Sequence, residues 1–173
     1  MALSPTTIDY TQPALFKLQF DKLPHVEYFT YSVNIPGVSG GEIIQPTPVF
    51  DIKLPGDKML FEPLLINFIV NEDLKNYREI LEWMKGLYKP VTTDQYRAWV
   101  TKDPTKTRQQ NMYSDAQLFI LSNKMNPKLK ITFYDAYPVA LSPLNYDSSI
   151  SDVTPLSTDC TLNYTYYDID IVT

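Results

Sequence analysis

Leu54 to Tyr88 runs LPGDKMLFEPLLINFIVNEDLKNYREILEWMKGLY, and no other stretch limits the possible folds as strongly. Pro55 fixes φ and Gly56 is free to take a positive φ, the order a type II turn needs at its two central positions. A reversal is therefore predicted at Leu54-Pro55-Gly56-Asp57. Leu64, Leu65, Ile66, Phe68, Ile69 and Val70 are interrupted only by Asn67, so a strand built from them is apolar on both faces and belongs in an interior. Asn71-Glu72-Asp73 supplies a capping side chain and two acids suited to the positive end of a helix dipole. The apolar positions Leu74, Tyr77, Leu81, Met84 and Tyr88 follow at spacings of three and four and define a packing face, widened by Ile80 and Leu87. Lys75, Asn76, Arg78, Glu79, Glu82 and Lys85 take the other side. Gly86 weakens the last turn and Pro90 cannot extend it, which gives one helix over about residues 73–88 covering one sheet.

A chain of 173 residues fits a single domain, and at this size about 70% of the unfolded surface can be buried without staples. Thirteen tyrosines and eight phenylalanines against five glycines favour strands. Cys160 stands alone, so no intrachain disulfide is available and folding in a reducing cytoplasm is expected. No apolar run is long enough to span a bilayer and the first residues lack the pattern of a cleaved signal, so a soluble chain without a membrane partner is expected. The net charge of −5 and pI near 4.8 argue against a protein that grips nucleic acid through its phosphates. The same sign of charge suits a surface past which DNA slides without sticking.

Along the chain, residues 1–13 read as an irregular arm in which Ile8 and Tyr10 are available to a neighbour. Phe16, Leu18 and Phe20 alternate with Lys17 and Gln19 as a half-buried strand, and Glu27 to Ile35 repeats that pattern. Glu42 to Lys53 is strand-like but holds Pro46 and Pro48, which belong at an edge. With the turn after it, this segment forms a protruding hairpin or loop over about residues 40–60, too apolar to face solvent alone. Lys89 to Tyr113 reads as a long solvent-facing loop with Tyr96, Trp99, Lys102, Lys106 and Arg108. Ala116–Leu121 and the alternating Leu129, Ile131 and Phe133 form a hairpin, and Asp135 to Thr158 returns as a proline-containing loop. In the last strand the apolar phase switches from Cys160, Leu162, Tyr164 and Tyr166 to Tyr167, Ile169 and Ile171. A buried face follows that switch only through a bulge or a change of partner, so a bulge near Tyr166-Tyr167, or a terminus whose two halves face different subunits, is expected.

Catalytic chemistry is thinly supplied. His25 is the sole histidine, and it and Cys160 are the only candidate nitrogen or sulfur ligands, too few for zinc. Asp168 and Asp170 share one strand face without a third ligand nearby. No phosphate-binding glycine loop is present. The expectation is a protein without catalytic residues, metal or cofactor. Its fold is mainly β, an antiparallel barrel or sandwich with one flanking helix.

The segment PGDKMLFEPLLINFIVNEDLKNYREILEWMKGL resembles the middle of the tail tube proteins of contractile-tailed bacteriophages. The matching features are Pro55-Gly56-Asp57, the apolar strand, Asn71-Glu72-Asp73-Leu74 and Trp83-Met84. A second similar signature is Phe133-Tyr134-Asp135-Ala136-Tyr137-Pro138-Val139, followed by Leu141-Ser142 and a tyrosine-rich last strand. The resemblance implies a hexameric ring that stacks into a tube through which DNA passes, inside a sheath and above a baseplate, in a virion tail assembled in the host cytoplasm. It further implies ring-to-ring contact through Ile8, Tyr10, Ile43, Ile44, Val49, Phe50, Ile52, Pro55, Gly56 and Asp57. Two alternatives stay open: a tube initiator or other ring-forming tail component of the same fold, and a monomeric aromatic-rich module binding a ligand at Tyr96 and Trp99.

Overall fold

The computed structural model describes residues 10–88, 93–101, 104–105, 107–149 and 154–172. In chain order the elements are β1 (Phe16–Phe20), α1 (Pro24–Phe29), β2 (Thr30–Val33), β3 (Val38–Gln45), β4 (Ile52–Phe61), β5 (Leu64–Ile69) and α2 (Lys75–Tyr88). There follow α3 (Thr93–Val100), α4 (Arg108–Met112), β6 (Ser114–Leu121), β7 (Pro127–Leu141), β8 (Ser157–Asn163) and β9 (Tyr166–Ile171).

β7, at 15 residues, is shared by two sheets. Its first half pairs with β6 on one side and β9 on the other, and β1 extends β6, giving the order β1-β6-β7-β9. Its second half pairs with β8, which continues through β5 to β2. Every pairing is antiparallel, and the bent β7 turns one sheet over the other as an open barrel. The core between them holds Leu18, Phe20, Leu64, Ile66, Phe68, Leu118, Ile131, Phe133, Cys160 and Leu162, with Ile80 and Trp83 entering from α2. The mainly β, antiparallel expectation holds.

The phase switch in the last strand is resolved by a change of partner. β8 lies between β5 and β7, the chain breaks pairing at Tyr164-Thr165, and β9 resumes against the other half of β7.

Several expectations are corrected. Glu27–Ile35 is not one strand: Pro24 sits in the first turn of α1, where its missing N–H costs nothing, and only Thr30–Val33 is extended. β5 is internal to its sheet but one-sided, with Leu64, Ile66 and Phe68 buried and Leu65 exposed. The segment Lys89–Tyr113 carries two helices, and Trp99 packs on the core beside Gly86 of α2. The described residues therefore form four helices where one was expected. Asp135–Leu141 continues β7, and Pro138 is accommodated at an irregularity between Pro138 and Ala140.

Helix α2 ends as expected but starts and faces differently. Leu74 has φ 54° and lies outside the helix, its carbonyl accepting from Arg78 N at 2.9 Å. The residue that organises this junction is Asn76, fully buried and not on the polar side. Its Oδ1 accepts from Asn71 N and Tyr77 N, and its Nδ2 donates to Ile69 O at 2.7 Å. The buried stripe is Asn76, Ile80, Trp83 and Gly86. The expected face of Leu74, Tyr77, Leu81, Met84 and Tyr88 is rotated to its flank: the first four are half-buried and Tyr88 is exposed. Spacing alone favours the apolar stripe Tyr77, Leu81, Met84 and Tyr88, but the core takes the adjacent stripe one residue earlier, where Asn76 bonds the backbone and Gly86 leaves room for Trp99. Tyr88 still anchors its end through Oη, which donates to Pro138 O at 3.0 Å.

Candidate assembly surface

Among the described residues β3 and β4 pair only with each other, as a two-stranded sheet beyond the barrel. Both of its faces carry apolar side chains. Ile43, Ile44, Ile52, Leu54, Met59 and Leu60 are exposed, and at the tip Val49 is 86% and Phe50 65% exposed. A free two-stranded ribbon is marginal in water, so these side chains supply a surface and little internal stability. The tip is closed by Thr47, whose Oγ1 accepts from Phe50 N at 3.2 Å and donates to Phe50 O.

The hairpin expected near residues 40–60 is present, but Pro55-Gly56-Asp57 is not its turn. These residues lie inside β4, and the reversal falls between Gln45 and Ile52. The register moves from Gly40 opposite Met59 to Glu42 opposite Pro55, leaving Gly56, Asp57 and Lys58 bulged against Gly41. Pro55 has no N–H to give a ladder, and an irregular stretch of an edge strand tolerates that loss. A Cβ on Gly56 would lie 2.8 Å from the Gly41 backbone, so the bulge requires glycine.

Two tyrosines hold the root of this ribbon. Tyr164 Oη donates to Glu62 O at 2.8 Å and Tyr167 Oη to Pro36 O at 3.3 Å, one on each leg. Glu62 N donates to Gly37 O at 3.0 Å across the legs. Phe61 packs edge-on against both tyrosine rings, at centroid distances of 6.1 and 5.6 Å, and Phe133 joins them from the core. Desolvation pushes the Tyr164 phenol up to about 12, followed by the effects of Tyr167 and Glu62. The sequence marked this tyrosine run as a phase break and as part of the family resemblance, not as an anchor for the ribbon.

The second assembly feature is the sheet β1-β6-β7-β9, in which, among the described residues, β1 pairs only with β6 and β9 only with β7. Its inner face supplies core residues, so alternation sends Lys17, Gln19, Gln117, Lys130, Thr132, Asp168 and Asp170 to the other face. Tyr134 and Tyr166 stack there at 4.5 Å, and desolvation, then Tyr166 and the carboxylates of Asp168, Asp170 and Asp115, raise the Tyr134 phenol above its usual range. Tyr10 is exposed at the start of the described chain, and Ile8 lies outside the described residues.

Chemical alternatives find little support in this geometry. Cys160 is buried and desolvation pushes its thiol up to about 12, so it is not a thiolate at neutral pH. His25 Nδ1 is bound to Glu79 Oε1, which joins α1 to α2. Trp99, half of the expected ligand-binding pair, is packed against the core. Among the described residues no group of three His, Cys, Asp or Glu side chains is placed to hold a metal, and no helix is long and apolar enough to cross a membrane.

No protein-family model matches this sequence. The tail tube terminator protein of Enterobacteria phage T4 is 27% identical over 143 residues, covering 80% of this chain and 75% of that protein. A chain in the tube-terminating cap of the anti-feeding prophage superposes with a TM-score of 0.60 at 12% identity, covering 98% of this chain and 97% of that one. A chain in the sheath/tube terminator of an extracellular contractile injection system gives 0.55 at 16% identity, covering 95% and 99%. The structural matches establish the fold, and the phage relative agrees with the resemblance carried by the strand and helix of residues 54–88. The sequence is thus similar to a tail tube terminator protein of a contractile-tailed phage, and its fold is that of chains in the tube-terminating assemblies of contractile systems.

Proposed function

We propose that this chain is a structural, non-catalytic ring-forming component of a contractile phage tail tube. Six copies join through the free edges of β1 and β9, and the β3–β4 hairpin carries contact from ring to ring through Ile43, Ile44, Val49, Phe50 and Ile52, with the Pro55-Gly56-Asp57 bulge behind them. The N-terminal arm, residues 1–13, adds Ile8 and Tyr10 to the same axial contact, and the chain acts as a single domain. The observation that carries this reading is the direction of four strands. β1, β6, β7 and β9 alternate, so β9 of one copy meets β1 of the next in the antiparallel sense and the pattern repeats without a fault. The polar outer face of that sheet then lines the channel, where mixed charge gives DNA phosphates no basic track to bind. The sheath and baseplate are the outer partners, and the product is part of the virion tail.

The phage T4 relative is a tail tube terminator protein, which supports a second reading, in which the ring ends the tube and does not extend it. Negative-stain microscopy of the purified full chain separates the two. Repeating tubes support a tube subunit, and isolated rings that cap preformed tubes support a terminator. A 20.0 kDa species persisting at high concentration overturns both. Deleting Gly41–Asp57 is expected to leave a folded, ring-forming domain that does not stack, and loss of folding would remove the hairpin's assigned role.

A further inference from the structure

The two free edges of the β1-β6-β7-β9 sheet differ in charge along defined rows. Lys17 lies opposite Phe119, Phe119 opposite Lys130, and Lys130 opposite Asp170. In the neighbouring row Gln19, Gln117, Thr132 and Asp168 succeed one another. Each row therefore begins on β1 with a basic or neutral side chain and ends on β9 with an aspartate. β1 reads FKLQF and contains no acid, while β9 reads YYDIDI and contains no base. Lys17, Asp168 and Asp170 are all exposed. Other charges near these edges are Glu27 of α1, 4.0 Å from Lys17, Asp21 directly after β1, Asp115 on the same face, and Lys128 and Lys130 on β7.

Backbone pairing at a strand edge does not itself discriminate among partners; side-chain charge does. We infer that Lys17 with Asp168 and Asp170 forms a polarity code that admits only β1 of a second copy of this chain to β9 and rejects another β9. This rests on the ring reading and names what makes its contact directional. Two β9 edges brought together would face aspartate with aspartate, and two β1 edges would face lysine with lysine. Because Asp168 and Asp170 lie two residues apart on one face, Lys17 meets an aspartate in either of two in-phase registers.

The experiment uses the full chain with Lys17→Glu in one variant and Asp168→Lys with Asp170→Lys in the other. Folding is checked by unfolding midpoint, and association is measured by sedimentation and native mass spectrometry. Each variant alone is expected to self-associate about tenfold or more weakly than the unaltered chain. An equimolar mixture regains association, because every β1–β9 contact is again between opposite charges when the variants alternate. Mass spectrometry then finds equal numbers of each variant in every closed assembly. Glu27→Gln strengthens association, and raised salt weakens that of the unaltered chain. Variants that associate normally alone, or a mixture that is not rescued, overturn the code. Rescue in open chains without closed rings keeps the code and removes the ring reading, whereas closed rings unaffected by either variant keep the ring and remove the code.

Discussion

The helix-covered body and the β3–β4 ribbon are made from similar side chains and treat them oppositely. In the body, Leu64, Ile66 and Phe68 alternate with less buried neighbours, and Ile80 and Trp83 close over them until each is at most 1% exposed. In the ribbon, Ile43, Ile44, Met59 and Leu60 stay open, because two strands have no third layer to cover either face. Apolar sequence therefore has two meanings in this chain. Where the chain returns over itself it makes core; where it leaves the barrel it makes surface for something else to bury.

That contrast predicts a gradient of mutational effects. The largest belongs to Trp83→Ala, which empties a fully buried site and leaves Met112 O without the indole donor that now reaches it at 2.8 Å. A loss of about 3 to 5 kcal/mol in urea unfolding is expected, and a loss under about 1 kcal/mol would break the comparison. Next, Ile80→Ala should cost about 2 to 4 kcal/mol and the half-buried Leu81→Ala only about 1 kcal/mol. A reversed order in the same assay would return the helix to the orientation read from the sequence. A smaller effect appears in alkali. Cys160 and Tyr164 both hold their protons more tightly when folded, at about 12 against ordinary values of 9.0 and 10.0. Their contribution is complete below pH 9 and lost as pH rises from about 9 to about 12, since the unfolded chain ionises first. Tyr164→Phe should flatten the part of that decline above pH 10 in a pH series of unfolding midpoints. The smallest effect on stability falls on the ribbon. Phe50→Ser should change unfolding by no more than about 0.5 kcal/mol while impairing ring-to-ring contact in microscopy. A large loss of stability there would make the tip part of the core.

Legibility in the sequence follows the same division. Strands whose alternation faces one packed interior, such as Phe16–Phe20 and Leu129–Phe133, could be placed from pattern alone, because burial imposes a period of two. The ribbon was visible as apolar residues interrupted by prolines. What escaped depended on single residues: the buried stripe of α2 runs through Asn76 and Gly86, which carry no apolar signal, and the bulge at Gly41 and Gly56 absorbed a Pro-Gly that has the composition of a turn. Asn76 was hidden because an asparagine in a helix normally faces water, and only tertiary structure brings Ile69 O to it. The edge polarity of β1 and β9 depends on cross-strand register, which one-dimensional pattern does not contain.

Pro36 and Glu62 are held by hydroxyls only three residues apart, Tyr164 and Tyr167, and so share one anchorage. A ribbon gripped at both legs from one short stretch cannot flap about either leg alone; it swings as a boom whose pivot is the end of the barrel. Its far end therefore amplifies any tilt at that pivot, and a small rotation of the stretch bearing the two tyrosines displaces Val49 and Phe50 by much more.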